Sequence, residues 1–531
     1  MFNLLRHLNK SVNKPQNIIS RFENNDETPK YIKHLINETL NRTQVIPTVI
    51  NGVEYNSSKT ENQIKQISPI NNRHVCAVGH SVDVSILRNH IESDIFRKAH
   101  IHWNKIGIDK RIELFENISN SIESKYKDDL LVATMVGQGK SVYEAEIDSV
   151  CELLDFLNFN NYYACQINSR EYISTSDEYN FSEINGLNGF VASITPFNFT
   201  AIGANLVSAP LLMGNQVIWK PSDNSLLSNY KYYTILLENN IPPELISFVP
   251  MNPEVFFEHI SEYPNLGAVA FTGSSDVFTT IYKKIGENIN KYSTYPRLVG
   301  ETGGKNFHFV HPSADPVLVG TKTFESAFGY SGQKCSACSR LYIPRKLWNK
   351  FYNSISERIN SFNFDNYGVI NERSYSKTKQ LLLDIKRDGR LSIIKGGNFD
   401  ESENYFIEPT IILSEYHNHE IFHKEYFAPI LAVYMYDESK VEEAFELCKN
   451  TNKYALTGSI FCNDIGFIKK AYDDLRFNAG NFYINDKSTG SVVGRQPFGG
   501  FNMSGTNDKA GDINLLYRFM NQRSVKINTS N

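Results

Sequence analysis

Cysteine is scarce: seven residues in 531, at Cys76, Cys151, Cys165, Cys335, Cys338, Cys448 and Cys462. Spacing this scattered is no disulfide framework and favours a reducing compartment. Charge of one sign is lacking too. Against 54 Lys and Arg stand 58 Asp and Glu, a formal net charge of −4, and no long basic run offers a footprint for nucleic acid. No apolar run is long enough to span a membrane. The most apolar stretch, GFVASITPFNFTAIGANLVSAPLLMGNQVIW, is broken by Pro196, Asn198, Asn205 and Pro210 and reads as buried core. Internal repeats and strong low-complexity segments are also missing.

What is present is ordinary for a soluble globular protein: 41% hydrophobic and 21% charged residues, in a chain long enough for two or three domains. The amino terminus stands apart. MFNLLRHLNKSVNKPQNIISRF carries Arg6, Lys10, Lys14 and Arg21, with no acid before Glu23, and Phe2, Leu5 and Leu8 can share a helical face. Basic, acid-poor and amphipathic is the pattern of a mitochondrial transit segment. That assigns residues 1–25 to a leader and the mature chain to the mitochondrial matrix; an ordinary basic amino terminus is the plain alternative.

Residues 25–75 are polar and read as a lead-in with short strands, NNRHV and GVEYNSSK being turn-like. From 84 to 165 the apolar spacing is near 3.6, which predicts helices; Cys151 lies on the last of them as a small core residue. The period then changes. GFVASI (189–194) predicts a strand, TAIGANLVSAPLLM a helix closed by Gly214 and Asn215, and QVIWK a second strand. That is a βαβ unit of a parallel sheet. LGAVAFTG (266–273) adds a strand and SDVFTTIYKKIG a helix. Ligands of such sheets bind at the carboxyl ends of the strands, which here hold Thr195 to Asn198, Lys220, Gly273 and Ser274. A second α/β region runs from about 295 to 480. In it PRLVGE and NFHFVH are strand-like, DPVLVGTKTFESAFGY is helical and SRLYIP leads out as a strand. The segment INDKSTGSVVGRQPFGGFNMSGTNDKAG is rich in turn formers, as functional loops are.

Cys335 and Cys338 form the one C-x-x-C. A metal site needs about four ligands, and neither a second pair nor a nearby H-x-x-x-H supplies them, so no metal is expected. His308 and His311, at a strand exit, read as surface residues. A thioredoxin-like pair follows a strand and opens a helix; here a helix precedes and a strand follows. One nucleophile with a bystander is the remaining option, with a thiol-redox or metal protein kept as the competing reading.

TPFNF, WKPS, FTGS, ETGGKN, GQKC and EYFAPI occur in this order, and together they resemble the aldehyde dehydrogenase superfamily from about residue 60 to the carboxyl end. NFHFVHPSAD, GQKCSACSR, NDKSTGSVVG, RQPFGG and SGTNDKAG resemble the branch that oxidises L-glutamate γ-semialdehyde. The resemblance implies an α/β fold. A Rossmann-type NAD-binding domain would take 26–165 and 187–294, and an α/β catalytic domain 295–499. A small β oligomerisation flap would take 166–186 and 500–531, so a homodimer or higher homo-oligomer is implied.

The same resemblance implies roles. Cys335 is the nucleophile, Asn198 a donor to the oxyanion and Glu301 the general base, with Cys338 as packing. Lys220, Gly273, Ser274, Glu425 and Phe427 bind the cofactor; NAD is expected over NADP because Asp223 lies near Lys220. Ser336, Gly490 and Ser491 hold the amino-acid head of the substrate, while Phe498 and Phe199 line its chain. Phe278 departs from many relatives, which carry a second glycine there, five residues after Gly273. Another semialdehyde as substrate, and an inactive binding or structural relative, are the alternatives.

Overall fold

Short apolar runs too brief for helices and closed by turn formers make strands buried on both faces. The chain has two sets of them. In the computed structural model, which describes residues 13–24, 26–363 and 367–529, each set forms a seven-stranded sheet. Across the first sheet the order is Arg297–Glu301, Leu266–Thr272, Phe190–Ile194, Gln216–Lys220, Ile246–Phe248, Thr48–Ile50 and Val53–Tyr55. Its first five strands are parallel, and the last two add antiparallel. From Phe190–Ile194 the chain steps outward to Gln216–Lys220 and then returns to lay Leu266–Thr272 on the other side. That reversal is a topological switch point, where a crevice opens at the carboxyl ends of the strands.

The second sheet runs Ser392–Lys395, Thr410–Leu413, Ile430–Tyr436, Cys338–Pro344, Asn306–Val310, Thr457–Phe461 and Asn481–Ile484, parallel except at its first strand. The two sheets are joined through a single short connection. Glu301 ends the edge strand of one, and Asn306 opens a central strand of the other.

Helices cover the faces. Thr200–Leu212 is buried on nearly every side, so it shows no polar stripe. Its first two free N–H groups, on Thr200 and Ala201, donate to the two oxygens of Asp148 at 2.9 and 3.0 Å. Asp148 sits in a π-helical turn, Ile147–Glu152, between the helices Val142–Glu146 and Leu153–Asn168. An extra residue per turn re-aims side chains there.

Some expectations for the lead-in change. The helix Lys30–Leu40 stands where only strands were expected, and NNRHV opens the long strand Asn71–His80 rather than a turn. Of the segment read as a leader, residues 1–12 and 25 lie outside the described residues. Residues 17–22 are docked on the helix layer through Arg21, Asn17 and Ile18. The limit at residue 25 therefore does not mark a break in the fold.

At the other end Asn521–Asn528 pairs antiparallel with Glu178–Asn185. Arg297 pins its base, donating to the carbonyls of Tyr517, Arg518 and Met520 and to Asn521 Oδ1 at 2.8–3.1 Å.

Phe278 has a packing reason. Its ring stacks on Phe271 at 5.4 Å and lies over Gly300, where a Cβ would come within 2.0 Å of the ring. The aromatic side chain fills the core between two strands and their helix. Phe278→Ala is expected to cost about 3–5 kcal/mol and to lower the thermal midpoint visibly. An unchanged midpoint in differential scanning fluorimetry would mean that the ring is not a core element.

Candidate active site

The site assembles where the first sheet's strand ends meet the amino-terminal ends of the second. From the helix Pro316–Phe328 the chain enters a turn with two non-glycine residues at positive φ, Tyr330 (51°) and Ser331 (52°), followed by Gly332 at 67°. A Cβ on Gly332 would stand 2.3 Å from the Ala428 carbonyl, so only glycine fits this crossing. Cys335 follows, half-buried, and the strand Cys338–Pro344 begins three residues later. Cys338 is buried in the apolar cluster beneath the loop.

Four side chains hold this loop. Asn198 donates its amide to the Gln333 carbonyl at 3.1 Å. Asn306 donates to the carbonyls of Cys335 at 2.6 Å and Ala337 at 2.9 Å. The Ser336 carbonyl accepts from Thr457 Oγ1 at 3.1 Å and Ser488 Oγ at 3.0 Å. His308 belongs to the same support. It is fully buried rather than on the surface, with Nδ1 2.9 Å from Thr323 Oγ1 and Nε2 accepting from Ser488 N.

Two carboxylates face the thiol. Glu301 accepts from Gly500 N at 3.2 Å, and Glu425 accepts from Gly304 N at 3.0 Å. Burial holds the Glu301 carboxyl well above the usual carboxylate range, and nearby Asp508 adds to the shift. Burial likewise pushes Glu425 up to about 7. The Cys335 thiol is raised as well, first by burial and then by Glu301 and Glu425. Without substrate the Cys335 side chain therefore favours the thiol, and ionising it competes with both acids.

The expected cofactor residues lie on the crevice side. Lys220 ends its strand buried, with Nζ 3.0 Å from Asp223 Oδ1. Gly273 donates its N–H to Glu301 O at 3.2 Å, and Ser274 caps the helix Ser275–Glu287. Phe427, at φ 56°, meets Phe197 edge-on at 5.9 Å. A buried lysine at a strand end and a capped helix amino terminus fit ribose hydroxyls and a pyrophosphate.

On the opposite side the Phe199 ring lies 4.0 Å from Lys140 Nζ, which also pairs with Asp148 at 2.8 Å. The loop of Gly490, Ser491 and Phe498 joins the cysteine loop through Ser488. Ser491 is turned inward, its hydroxyl donating to the Gln496 carbonyl at 2.6 Å. Phe498 exchanges backbone bonds with Ala510.

Sequence reasoning missed a charged group beside the nucleophile. Lys334, immediately before Cys335, is half-buried; desolvation pushes its ammonium down, and Glu144 holds it up in part. Burial also lifts Glu152 to about 8, with Asp148 adding to the shift. Only Lys334's position in GQKC signalled its place; Glu152 lay within an unremarkable helix. Asn306 was missed as well, although it closes ETGGKN.

A thiol, two carboxylates, an amide donor and a dinucleotide crevice suit oxidation of an aldehyde through a covalent intermediate. The model of the aldehyde dehydrogenase family matches residues 55–525, and the chain belongs to that family. Within it, the chain is similar to human mitochondrial delta-1-pyrroline-5-carboxylate dehydrogenase, 41% identical over 91% of this chain and 87% of that protein. The mitochondrial enzyme of the same name from Dictyostelium discoideum is 40% identical over 97% and 93%. Among solved structures, the Mycobacterium tuberculosis Delta-pyrroline-5-carboxylate dehydrogenase bound with NAD superposes with a TM-score of 0.91. It is 35% identical, covering 98% of this chain and 97% of that one.

The thiol's raised pKa carries a sign. Alkylation of Cys335 by iodoacetamide in the cofactor-free enzyme is expected to be slow at neutral pH and to keep rising through pH 9, because only the thiolate attacks. A rate that levels off below pH 7 would contradict the burial and the two carboxylates as its cause.

Proposed function

We propose that the chain oxidises L-glutamate γ-semialdehyde, the open form of 1-pyrroline-5-carboxylate, to L-glutamate with NAD, as the last step of proline breakdown. The observation that carries the reading is the cysteine loop itself. Cys335 is faced by Glu301 and Glu425 and is flanked by Lys334 within a buried charged group.

Cys335 attacks the aldehyde carbon and forms a thiohemiacetal. Asn198 has a second amide hydrogen beyond the one on Gln333, and with the Cys335 N–H it meets the developing oxyanion. NAD, bound by Lys220, Gly273, Ser274, Glu425 and Phe427, supplies the hydride acceptor. Asp223 beside Lys220 disfavours an added 2′-phosphate. A Cys335 thioester then remains, and Glu301 removes a proton from the water that hydrolyses it. With its carboxyl raised by burial, Glu301 becomes a competent base only as pH rises, so hydrolysis quickens towards alkaline pH.

The substrate is a zwitterionic amino acid with an aldehyde at its far end. Ser336, Gly490 and Ser491 take its carboxylate through hydroxyl and backbone donors, Ser491 turning away from Gln496 to do so. Lys334 and the Glu152 carboxyl give the amino-acid head a polar surface, and Phe199 and Phe498 flank the aliphatic chain. Another semialdehyde, or an inactive relative, would not need that arrangement.

On this reading residues 26–165 and 187–294 form the NAD-binding domain and 295–499 the catalytic domain, with 166–186 and 500–531 making the flap. A two-stranded ribbon is marginal alone, so the flap adds to a second copy in a homodimer or higher oligomer. No described helix is long and apolar enough to cross a membrane. The basic amino terminus and the mitochondrial names of the relatives support a mitochondrial location, and we place the enzyme in the matrix, with any leader ending before the docked residues 17–22.

NADH formation, followed with pyrroline-5-carboxylate and separately with succinate semialdehyde, tests the reading. Activity on the first, lost in Cys335→Ala, is expected; activity only on the second would overturn the substrate. Ser491→Ala should raise KM for the glutamate semialdehyde about three- to ten-fold, while KM for hexanal stays put. Equal changes on both would remove Ser491 as the anchor.

A further inference from the structure

Among the described residues, two buried carboxylates on the helix layer find their hydrogen-bond donors only in residues 17–21. Glu146 is 1% exposed, and both of its oxygens accept from Arg21, Nε and Nη2 each at 2.7 Å. The third arm of that guanidinium reaches Asp128 at 2.7 Å. Asp155, 4% exposed, accepts from Asn17 Nδ2 at 2.8 Å and from Ile18 N at 2.9 Å. Among the described residues these are their only hydrogen bonds. A buried acid with its partner removed is strongly destabilising, so the fold is built to include residues 17–21.

The same short segment reaches the substrate loop. Asn17 Nδ2 also donates to the Val493 carbonyl at 2.7 Å, and Arg495 Nε donates to Asn17 Oδ1 at 2.8 Å. The other hydrogen bonds of residues 492–496 stay inside the loop: Arg495 and Gln496 N–H to Val492 O, Val492 N to Gln496 Oε1, and Ser491 Oγ to Gln496 O. Every hydrogen bond by which residues 492–496 leave their own loop, among those described, therefore ends on one side chain, Asn17. Ile18 and Phe22 pack against the main apolar cluster, to which Val493 also belongs.

We propose that residues 17–21 are a strap of the folded enzyme, and that Asn17 is a positioning residue for the loop that holds the amino-acid head of the aldehyde. The proposal rests on the substrate reading above. It works through geometry: Asn17 fixes Val493 and Arg495, which lie directly after Gly490 and Ser491 in the chain. A cut after residue 25 would release the loop and strand both carboxylates.

The test uses the full chain with Asn17→Ala, Arg495→Ala and the double variant. Arg495 is exposed, so its replacement does not threaten folding. Each single change is expected to raise KM for pyrroline-5-carboxylate about three- to ten-fold, with kcat held within about two-fold and KM for hexanal unmoved. The double variant should be no worse than Asn17→Ala alone, because the hydrogen bond that Arg495 makes to the strap ends on Asn17 and is already lost there. An unchanged KM, or equal changes for both aldehydes, would overturn the positioning role. Hydrogen exchange supplies a readout independent of substrate: amides 493–496 should exchange faster in Asn17→Ala, and unchanged exchange would also overturn it. Wild-type enzyme that ignores pyrroline-5-carboxylate yet shows the exchange effect would sink the substrate reading and leave the strap standing.

Discussion

The side-chain amide of Asn306 is the contact on which the site depends. It opens a central strand of the second sheet and donates to two carbonyls of the cysteine loop, while Thr457 N donates to its oxygen at 3.0 Å. One buried side chain thus ties the nucleophile's loop to two neighbouring strands. Without it two loop carbonyls would lose their donor, at about 1–3 kcal/mol each. The glycines before it have a matching purpose. A Cβ on Gly304 would stand 2.5 Å from Asn306 Oδ1, and one on Gly303 would stand 2.0 Å from Glu425 Oε2. Five residues, ETGGK, therefore carry the chain from one sheet to the other and leave room for a carboxylate and an amide.

Dry surroundings set the electrostatics of what that loop presents. Burial raises Cys335, Glu301 and Glu425 together, so each group in the free site gives up its proton less readily than it would in water. In such surroundings a donor positioned for a developing oxyanion counts for more than it would in water. On the far side Lys140 and Asp148 form an ion pair buried in the helix layer. That layer is braced by a π-helical turn whose Asp148 caps the helix following Asn198. Asn198, Phe199 and the turn before Cys335 are thus supported by one packed unit.

Much of this was legible beforehand. Strands such as GFVASI and QVIWK are short, apolar and closed by turn formers, and their βαβ order is local information. Cys335, Glu301 and Asn198 stood in motifs whose order was itself the signal. What escaped was set by tertiary contact. His308 looked exposed because an alternating strand end carries no mark of the Thr323 and Ser488 that enclose it. Glu152 sat in a helical repeat whose π turn has no sequence signature. That residues 17–22 belong to the folded body shows only once Arg21 is seen against Glu146.

The most direct test of the mechanism is to trap the covalent intermediate. Glu301→Gln enzyme, mixed with pyrroline-5-carboxylate and NAD and quenched in acid, should carry a glutamyl adduct on the peptide containing Cys335 and Cys338. Fragmentation should place it on Cys335, and Cys335→Ala should carry none. An adduct on Cys338, or continued turnover with no adduct on either cysteine, would contradict a lone nucleophile at Cys335 relieved by Glu301.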